Sequence, residues 1–294
     1  MDMHYVLDRP HLNDGGRVVR VKPRYNPDVN QWWLCDEGRY GLGWIDHARL
    51  DKVRGPAPGA TWEQALTAIS TALAGARIGV IASAQLTNEE LFLIRQIFQG
   101  ALGAKVSASV PSKPGSSDDF LIKADKNPNT LGATLLGLAG PNALDAGKIV
   151  DEALAGNLDA LWVFGHDLVE LFGEDKVREL SRKAGLFVFS GTNENRTVPF
   201  AHWVIPSAAY VEKDGTFVNC HGRVQRIGRA FPPFKDSRED WRILLELAAK
   251  LGLPFDWRGP EQIFKEIART LGPFEGLSYE TIGAQGIDVG AVAP

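Results

Sequence analysis

The chain has 294 residues, a formal net charge of −4 at pH 7 and 44% hydrophobic residues, which describes an ordinary globular protein of one large domain or two smaller ones. The acidic balance argues against a dedicated nucleic-acid binder, because such proteins carry a basic surface. The sequence has no long apolar span, so we expect no membrane insertion. Cys35 and Cys220 lie far apart, and we expect reduced thiols and a cytoplasmic location.

The first 54 residues predict a small β-rich unit. Residues 1–14 have no clear period and lead through Gly15-Gly16 into a strand-like run at 17–22, which predicts a hairpin-like entry. An aromatic stretch follows at 31–40, with Trp44 just beyond it. So many aromatic side chains in a loop need a surface to cover.

From residue 55 to residue 258, short apolar runs alternate with helical patterns. Thr61 and Thr87 are predicted helix N-caps, each with Glu or Gln in the first turn. Strands are predicted at 77–83, 105–109, 160–164, 186–189 and 203–205, and helices between them include 145–155 and 168–184. This alternation predicts an α/β fold with a Rossmann-like parallel sheet and right-handed crossovers.

The last part of the chain predicts two more helices and an unstructured end. A helix is capped within 236–240, and another is predicted around 260–270. The tail at 283–294 is small and weakly polar, and we expect it to be disordered or to lie along a partner. The predicted organisation is a β-rich unit at 1–54, an α/β domain at 55–258 and a C-terminal helix and tail at 259–294.

Polar loops follow the predicted strands at the carboxyl edge of the sheet, where open α/β folds bind ligands. No G-x-G-x-x-G or Walker loop occurs there, so no classical dinucleotide site is expected. In the loop at 124–132, the polar residues either hold a ligand or form a self-bonding turn, and the turn is favoured. The residues considered as cofactor contacts are Gln85, Asn88, Lys126, Asn127, Asn129, Asn193 and Glu194, with Arg223 and Gln225 of the hairpin described below.

Candidates for catalysis and metal binding are few. His166 and Asp167 suggest a catalytic dyad, but they are neighbours on a loop tip and no G-x-S-x-G elbow accompanies them. His202 and His221 lack the spacing of metal ligands. We therefore predict no catalytic residue.

The stretch from Glu212 to Arg226 predicts a tight β-hairpin, with turns at 213–215 and 221–222. Arg223, Gln225 and Arg226 are expected side by side, where they suit a phosphate, a carboxylate or a partner chain. The alternative is a solvated hairpin whose arginines pair with nearby acids.

Several short motifs occur in a fixed order between roughly residues 17 and 255. They are Trp33-Leu-Cys-Asp-Glu-Gly-Arg39, Gln85-Leu-Thr-Asn-Glu-Glu90, Ala124-Asp-Lys-Asn-Pro-Asn-Thr130, Thr192-Asn-Glu-Asn-Arg-Thr197, Glu212-Lys-Asp-Gly-Thr-Phe-Val-Asn219 and Gly222-Arg-Val-Gln225. In this order they resemble the large iron–sulfur subunit of bacterial respiratory complex I, a member of the molybdopterin oxidoreductase superfamily. The resemblance implies a molybdopterin-oxidoreductase-like α/β fold.

The resemblance also implies that residues 1–54 are the remnant of an iron–sulfur segment. Cys35 matches the fourth cysteine of that segment, but upstream of Gly15 the sequence has only His4 and His11 and no cysteine. Since a cubane cluster usually requires four thiolates, a cluster is expected only if the missing cysteines are supplied elsewhere. Cys35 is otherwise expected to be a buried thiol.

The function implied by the resemblance is a non-catalytic structural part of an NADH-quinone oxidoreductase, supporting electron transfer from NADH to quinone. The implied partners are other subunits of the NADH dehydrogenase module, with a cytoplasmic location peripheral to the inner membrane. No cofactor is expected on this chain, and molybdopterin is not expected because no candidate metal-ligating residue is found. Replacing Arg223 and Arg226 is expected to weaken assembly and to leave the isolated fold nearly as stable.

Two alternatives remain open from the sequence. The first is a fragment of a catalytic molybdopterin oxidoreductase, such as a formate dehydrogenase. The second is a stand-alone module that binds a small molecule through the carboxyl-edge loops.

Overall fold

The computed structural model describes residues 3–8, 17–110 and 115–290, with side chains from residue 18 onward. The strands are β1 (Met3–Asp8), β2 (Arg17–Pro23), β3 (Ile78–Ile81), β4 (Lys105–Ser107), β5 (Ala160–Phe164), β6 (Leu186–Gly191), β7 (Trp203–Pro206), β8 (Gly215–Val218), β9 (Arg223–Ile227) and β10 (Ile287–Asp288). The helices are α1 (Asp36–Tyr40), α2 (Trp62–Leu73), α3 (Asn88–Ile94), α4 (Thr130–Leu135), α5 (Ala146–Leu154), α6 (Leu168–Phe172), α7 (Glu174–Lys183), α8 (Asp240–Lys250), α9 (Pro260–Thr270) and α10 (Tyr279–Ile282). A π-helical segment, Arg95–Ala101, continues α3.

The centre of the molecule is a parallel sheet with the strand order β4-β3-β5-β6-β7. Val80 of β3 pairs with Val106 on one side and with Trp162 on the other. Every residue of β3, β5 and β6 is buried, as expected for a parallel sheet covered by helices on both faces. The predicted α/β fold with a Rossmann-like parallel sheet is confirmed.

The chain winds to both sides of β3. From β3 it passes through α3 to β4 at one edge, and from β4 it returns through α4 and α5 to β5 on the opposite side of β3. Helices α2, α3, α8 and α9 contribute to the hydrophobic core on one face, and α5, α6 and α7 contribute to the core on the other. The direction of winding therefore reverses between β3 and β5, which is a topological switch point.

Local sequence signals place the helix starts well. Thr61 and Thr87 each form a capping box, as predicted; at the second, Glu90 Oε2 accepts from the Thr87 backbone N–H at 2.9 Å. The single helix predicted over 168–184 is wrong, because Gly173 adopts a φ of 88° and separates α6 from α7.

The hairpin β8–β9 is antiparallel, as predicted, with Thr216 opposite Arg226. Strand β10 of the tail pairs with β9 at Arg223 and Val224. For the described part of the tail, up to residue 290, the expectation of disorder is therefore wrong, since β10 lies along the hairpin of its own chain. The alternative expectation, a partner for the tail, stays a prediction. Residues 291–294 lie outside the described residues.

The N-terminal segment forms the predicted hairpin and then joins the central sheet. Strands β1 and β2 pair antiparallel, with a register shift between Val6 and Leu7. Arg54 and Val204 exchange two backbone hydrogen bonds of 3.0 and 2.8 Å at the β7 edge. These bonds join the predicted unit at 1–54 to the predicted domain at 55–258. The division of the chain into these domains stays a prediction. His11 lies outside the described residues.

The aromatic stretch covers its own chain only in part: Trp44 packs on Tyr210 at 5.5 Å between ring centroids, and Leu34 is buried. Its most exposed side chains are Trp32, Trp33 and Tyr40, at 66%, 57% and 74%, and Phe120 from another loop meets Trp33 edge-on at 5.3 Å between ring centroids. In the described parts of the chain, none of the helices has both the length and the apolar character needed to cross a membrane.

Candidate functional site

A pocket of about 420 Å³ opens at the switch point, beyond the carboxyl ends of β3, β4 and β5. One part of its wall is formed by small apolar side chains and the other part by polar side chains. The lining residues are Ala84, Ala108, Ser109, Val110, Ala124, Asp125, Asn127, Thr130, Thr134, Ala139, Gly140 and His166. This is the position at which open α/β sheets bind ligands, so we call it the switch-point pocket and take it as the candidate site.

Backbone hydrogen bonds fix the loops that form the pocket. The N–H of Asn129 donates to the carbonyl of Ala84 at 3.1 Å, which holds α4 against the loop after β3. The N–H of Ala108 donates to the carbonyl of Leu138 at 2.7 Å. Gln85 donates from Nε2 to Asn127 Oδ1 at 3.1 Å, so these two predicted site residues do meet.

His166 is the histidine of the pocket. Its Nε2 lies 3.1 Å from the carbonyl oxygen of Ala82, which only accepts, so this nitrogen carries the proton. Burial lowers the pKa of His166 to about 4, and the bond to Ala82 offsets only part of that effect. At neutral pH the ring is therefore uncharged, and Nδ1 is left as an acceptor.

The described lining residues of the pocket are neutral or negatively charged. Asp125 lines it, and its Oδ1 accepts from the backbone N–H and the side-chain amide of Asn127, both at 3.0 Å. This is the self-bonding turn that the sequence favours. Lys126 lies between these two residues but turns away, donating to Glu37 Oε2 at 2.9 Å and to the Ser116 carbonyl at 3.1 Å. None of the lining residues in the described ranges is Lys or Arg.

Asn88 and Asn129 are fully buried and bind other parts of the chain. Asn129 donates to the Leu86 carbonyl at 2.9 Å and accepts from the Val218 N–H at 2.7 Å, so it connects the loop after β3 to β8. Asn88 donates to Thr216 Oγ1 at 3.0 Å. Both amides hold α3, α4 and β8 against one another.

A buried charge cluster, to which sequence reasoning assigned no function, joins α3, the start of the hairpin and α8. Lys213 Nζ donates to both carboxylate oxygens of Glu90, at 2.9 and 2.7 Å, and to Asp240 at 3.4 Å. Glu89 accepts from the Thr216 backbone and hydroxyl groups at 2.9 and 3.0 Å and from the Tyr279 hydroxyl at 2.9 Å. The available signal was a pair of adjacent acids in a short helix that continues with four apolar residues.

The cluster shifts the protonation of its members. Burial raises the pKa of Glu89 to about 7, although its hydrogen bonds act in the opposite direction. Burial also raises the pKa of Asp240 to about 6 against the Lys213 charge. Burial alone lowers the pKa of Lys213, but the charges of Glu90 and Asp240 outweigh it and the net shift is upward. Lys213 is therefore a buried, charged ammonium group.

A second buried ion pair ties the N-terminal segment to the start of the hairpin. Arg49 binds Glu212 through two parallel bonds of 2.8 and 2.7 Å, and both side chains are almost fully buried. Nearby, Asn193 donates to the carbonyls of Trp44 and His47, both at 2.6 Å, and Glu194 pairs with Arg54. These loop residues contact the N-terminal segment, away from the pocket.

The hairpin side chains Arg223, Gln225 and Arg226 do not form the single group that was expected from the sequence. Arg223 donates to the Gly286 carbonyl at 2.9 Å and pairs with Asp28 at 2.8 Å. Arg226 lies over the Tyr279 ring at 4.5 Å and donates to its carbonyl at 3.0 Å. Gln225 lies opposite Phe217 in the hairpin. Both arginines thus hold the tail of their own chain.

The two cysteines are free and lie in different settings. Cys35 is half-buried, less so than a core thiol, and serves as the N-cap of α1, where Sγ accepts from the Gly38 N–H at 3.4 Å. Cys220 is exposed in the hairpin turn. Within residues 3–8, 17–110 and 115–290, no group of three or more His, Cys, Asp or Glu is placed to hold a metal ion.

One stretch of the chain matches a known protein family. Residues 137–250 match the family model described as molybdopterin oxidoreductase. The matched stretch runs through β5, β6, β7 and the hairpin, and it includes His166, Lys213 and Asp240. The molybdopterin oxidoreductase match therefore covers part of the pocket and part of the buried charge cluster.

Individual relatives are named as an oxidoreductase and a formate dehydrogenase. The chain is 31% identical to "Probable oxidoreductase YjgC" of Bacillus subtilis over 46% of its own length and 14% of that protein. It is 30% identical to "Putative formate dehydrogenase SAR2393" of Staphylococcus aureus over 56% of its own length and 16% of that protein. The chain thus spans about a sixth or less of these relatives. Acetylene hydratase from Pelobacter acetylenicus aligns with a TM-score of 0.38 at 15% identity, over 47% of this chain and 20% of that one, which is too low to support an argument.

Molybdopterin oxidoreductases use a pterin group that carries phosphate, and the switch-point pocket can be tested against such a group. Phosphate sites use the positive charge of Lys or Arg, or backbone N–H groups of a glycine-rich loop, a turn or a helix N-terminus. The described lining offers Asp125 and an uncharged His166 in their place. The described lining residues therefore offer a phosphate group no cationic partner and place a carboxylate beside it.

Proposed function

We propose that this chain is a non-catalytic, structural unit of a redox assembly related to the molybdopterin oxidoreductases. One observation carries the proposal: three buried residues of the motifs that mark the resemblance hold the fold together. Glu212 binds Arg49, Lys213 binds Glu90, and Asn129 binds Val218, all in buried positions. Residues used in this way are not available for substrate or cofactor.

For the assembly itself, the order of the sequence motifs supports a role like that of the large iron–sulfur subunit in an NADH-quinone oxidoreductase. In that role the chain would support electron transfer from NADH to quinone, with partners in the NADH dehydrogenase module and a peripheral position at the membrane. The exposed aromatic side chains Trp32, Trp33, Tyr40 and Phe120 support the existence of a partner, because adjacent exposed aromatic groups are typical of interaction surfaces.

A second candidate is a piece of a formate dehydrogenase-like enzyme. It is favoured by the names of relatives such as "Putative formate dehydrogenase YrhE" of Bacillus subtilis, which is 31% identical over 49% of this chain. That alignment covers 15% of the relative, so the activity of the whole relative is not carried over to this chain. In this second candidate the chain would bind pterin and molybdenum.

The two candidates are separated by analysing the purified chain for metal and pterin. The protein is produced in cells that synthesise molybdenum cofactor, and molybdenum and iron are measured by mass spectrometry. Pterin is measured by fluorescence after acid oxidation. A structural unit is expected to contain both metals and pterin far below one equivalent. Molybdenum and pterin near one equivalent each would overturn the proposal and support the formate dehydrogenase-like candidate.

The absorption spectrum gives a separate answer for Cys35. A cluster completed by cysteines of another polypeptide is expected to appear only after co-production with a redox protein that supplies them. The matched control is a Cys35→Ser variant, which removes the one thiolate that this chain contributes in the iron–sulfur position. A visible cluster spectrum that is unchanged in Cys35→Ser would exclude Cys35 as a ligand.

A further inference from the structure

We propose that the switch-point pocket binds a small ligand that donates hydrogen bonds and carries no phosphate or carboxylate group, in the class of neutral amides and organic cations such as amidines. This inference goes beyond the structural role proposed above and does not depend on it. It follows from the acceptors in the pocket, from its charge and from its size.

Two acceptor atoms of pocket residues receive no hydrogen bond from the described part of the chain. His166 Nε2 is occupied by the Ala82 carbonyl, and Nδ1 has no partner among the described residues. Asp125 uses Oδ1 for the turn with Asn127, and its Oδ2 has no described partner. A ligand with N–H groups supplies what an imidazole nitrogen and a carboxylate oxygen require.

The charge of the described lining residues selects against anions. Asp125 places a negative group on the lining, and the neighbouring Lys126 is held by Glu37 and by the Ser116 carbonyl. The neutral His166 ring adds no positive charge. An anionic ligand would therefore lose its hydration and meet a like charge, whereas a cation or a neutral donor would be paired.

The size and the walls of the pocket suit a compact molecule. Its volume of about 420 Å³ lies within the range of small-molecule sites. Ala84, Ala108 and Ala139 provide short apolar walls that allow a flat ring to approach the backbone. A benzene ring with one polar substituent fits this description.

Three probes of nearly identical shape test the proposal: benzamide, benzamidine and benzoate. The first two donate hydrogen bonds, and benzoate is an anion that only accepts. Dissociation constants are measured on the full chain by ligand-observed NMR and by titration calorimetry. Benzamide and benzamidine are expected to bind at least about tenfold more tightly than benzoate. Equal or tighter binding of benzoate, or no binding of any probe at about 10 mM, would overturn the proposal.

A charge-reversal variant locates the binding in the pocket. Asp125→Lys changes an exposed lining residue, so the fold is expected to survive and the order of preference to move toward benzoate. The matched control is Asp119→Lys, because Asp119 is exposed on the same loop but does not line the pocket. If both variants change the affinities equally, the effect is one of overall charge and the pocket assignment is wrong.

A site-specific signal completes the test. In protein labelled with ¹⁵N on histidine, benzamide is expected to shift the Nδ1 resonance assigned to His166 with the help of a His166→Gln variant. Benzamide that binds without moving this resonance would place the ligand elsewhere. A negative result in these binding experiments would overturn the pocket proposal without changing the metal and pterin contents of the chain. It is therefore distinguishable from a failure of the proposed function.

Discussion

Lys213 and Glu90 form a buried ion pair between residues that are 123 positions apart in the sequence, with the ammonium group 2.9 and 2.7 Å from the two carboxylate oxygens. The exposed fractions of the two side chains are 4% and 0%. The pair connects the start of the hairpin to helix α3, and Asp240 adds a link to helix α8. Three elements that are distant in sequence therefore meet at one ammonium group.

Replacing Lys213 with Met is expected to destabilise the protein by about 3–5 kcal/mol, because Glu90 and Asp240 would lose their counter-ion in a buried site. The free energy of unfolding is measured by urea denaturation at pH 7. A loss below about 1 kcal/mol would show that water or a rearranged neighbour replaces the ammonium group.

The matched control for this experiment is Lys265→Met. Lys265 also pairs with a glutamate, Glu261, at 3.2 Å, but both side chains are more than half exposed. The expected loss is below about 1 kcal/mol, since exposed pairs contribute little. Comparison of the two variants separates the effect of burial from the effect of removing a lysine.

The pH dependence of stability is expected to report on Glu89. Its pKa is about 7 in the folded chain and 4.5 without burial, so between these values the folded chain holds a proton that the unfolded chain has released. Stability therefore falls as the pH rises from about 4.5 to about 7, by roughly 3 kcal/mol from this group. Above pH 7 the contribution levels off.

Glu89→Gln tests this assignment, because the amide has no proton to lose in that window. The variant is expected to show a flatter dependence of unfolding free energy on pH between pH 5 and pH 8. Glu261→Gln is the control on an exposed helix position and is expected to keep the slope of the unmodified protein. An unchanged slope in Glu89→Gln would assign the pH dependence to another group.

The features that depend on neighbouring residues were predictable from the sequence. The capping boxes at Thr61 and Thr87 and the turn of Asp125 with Asn127 involve partners two or three residues away. The buried strands were predicted from apolar runs for the same reason. The parallel sheet then followed from the alternation of strands and helices.

The features that depend on distant partners were not predictable in this way. The carboxyl-edge loops were identified from the sequence, but the strand order that places the switch point between β3 and β5 is not written in any one segment. The sequence therefore did not show that His166 and the loop at 124–132 line one pocket. Lys213 was part of a motif, but its partner at Glu90 was not identifiable without the fold. The tail at Ile287–Asp288 has no strand-like pattern and is ordered by its contact with β9.

Gly132 illustrates how the buried amides constrain the sequence. A Cβ atom at this position would lie 2.1 Å from Asn129 Oδ1 and 2.2 Å from Asn88 Oδ1. Gly132→Ala is therefore expected to cost about 3 kcal/mol, although alanine ordinarily stabilises a helix such as α4. Thermal denaturation measures the change in stability.

Gly228→Ala is the matched control for this steric argument. A Cβ atom at Gly228 would meet nothing within 4 Å. The change in stability is expected to be small, or favourable by about 0.4–1 kcal/mol through the unfolded chain. If Gly132→Ala is equally neutral, the side chains of Asn129 and Asn88 move apart without cost and do not hold α3, α4 and β8 rigidly.

The last prediction concerns Arg223 and replaces the sequence-based expectation that its loss would leave the isolated fold nearly as stable. Arg223 donates to the Gly286 carbonyl at 2.9 Å and pairs with Asp28, and its side chain is only 14% exposed. Arg223→Met is expected to cost about 1–3 kcal/mol, as for hydrogen bonds of a charged group, and to accelerate amide exchange over residues 279–290. The matched control is Arg229→Met: Arg229 Nη1 lies 3.5 Å from Glu239 Oε1, and the arginine side chain is 48% exposed. This variant is expected to change neither the free energy of unfolding nor the amide exchange of the tail. Unchanged exchange of the tail in Arg223→Met would mean that β10 is held by its backbone pairing alone.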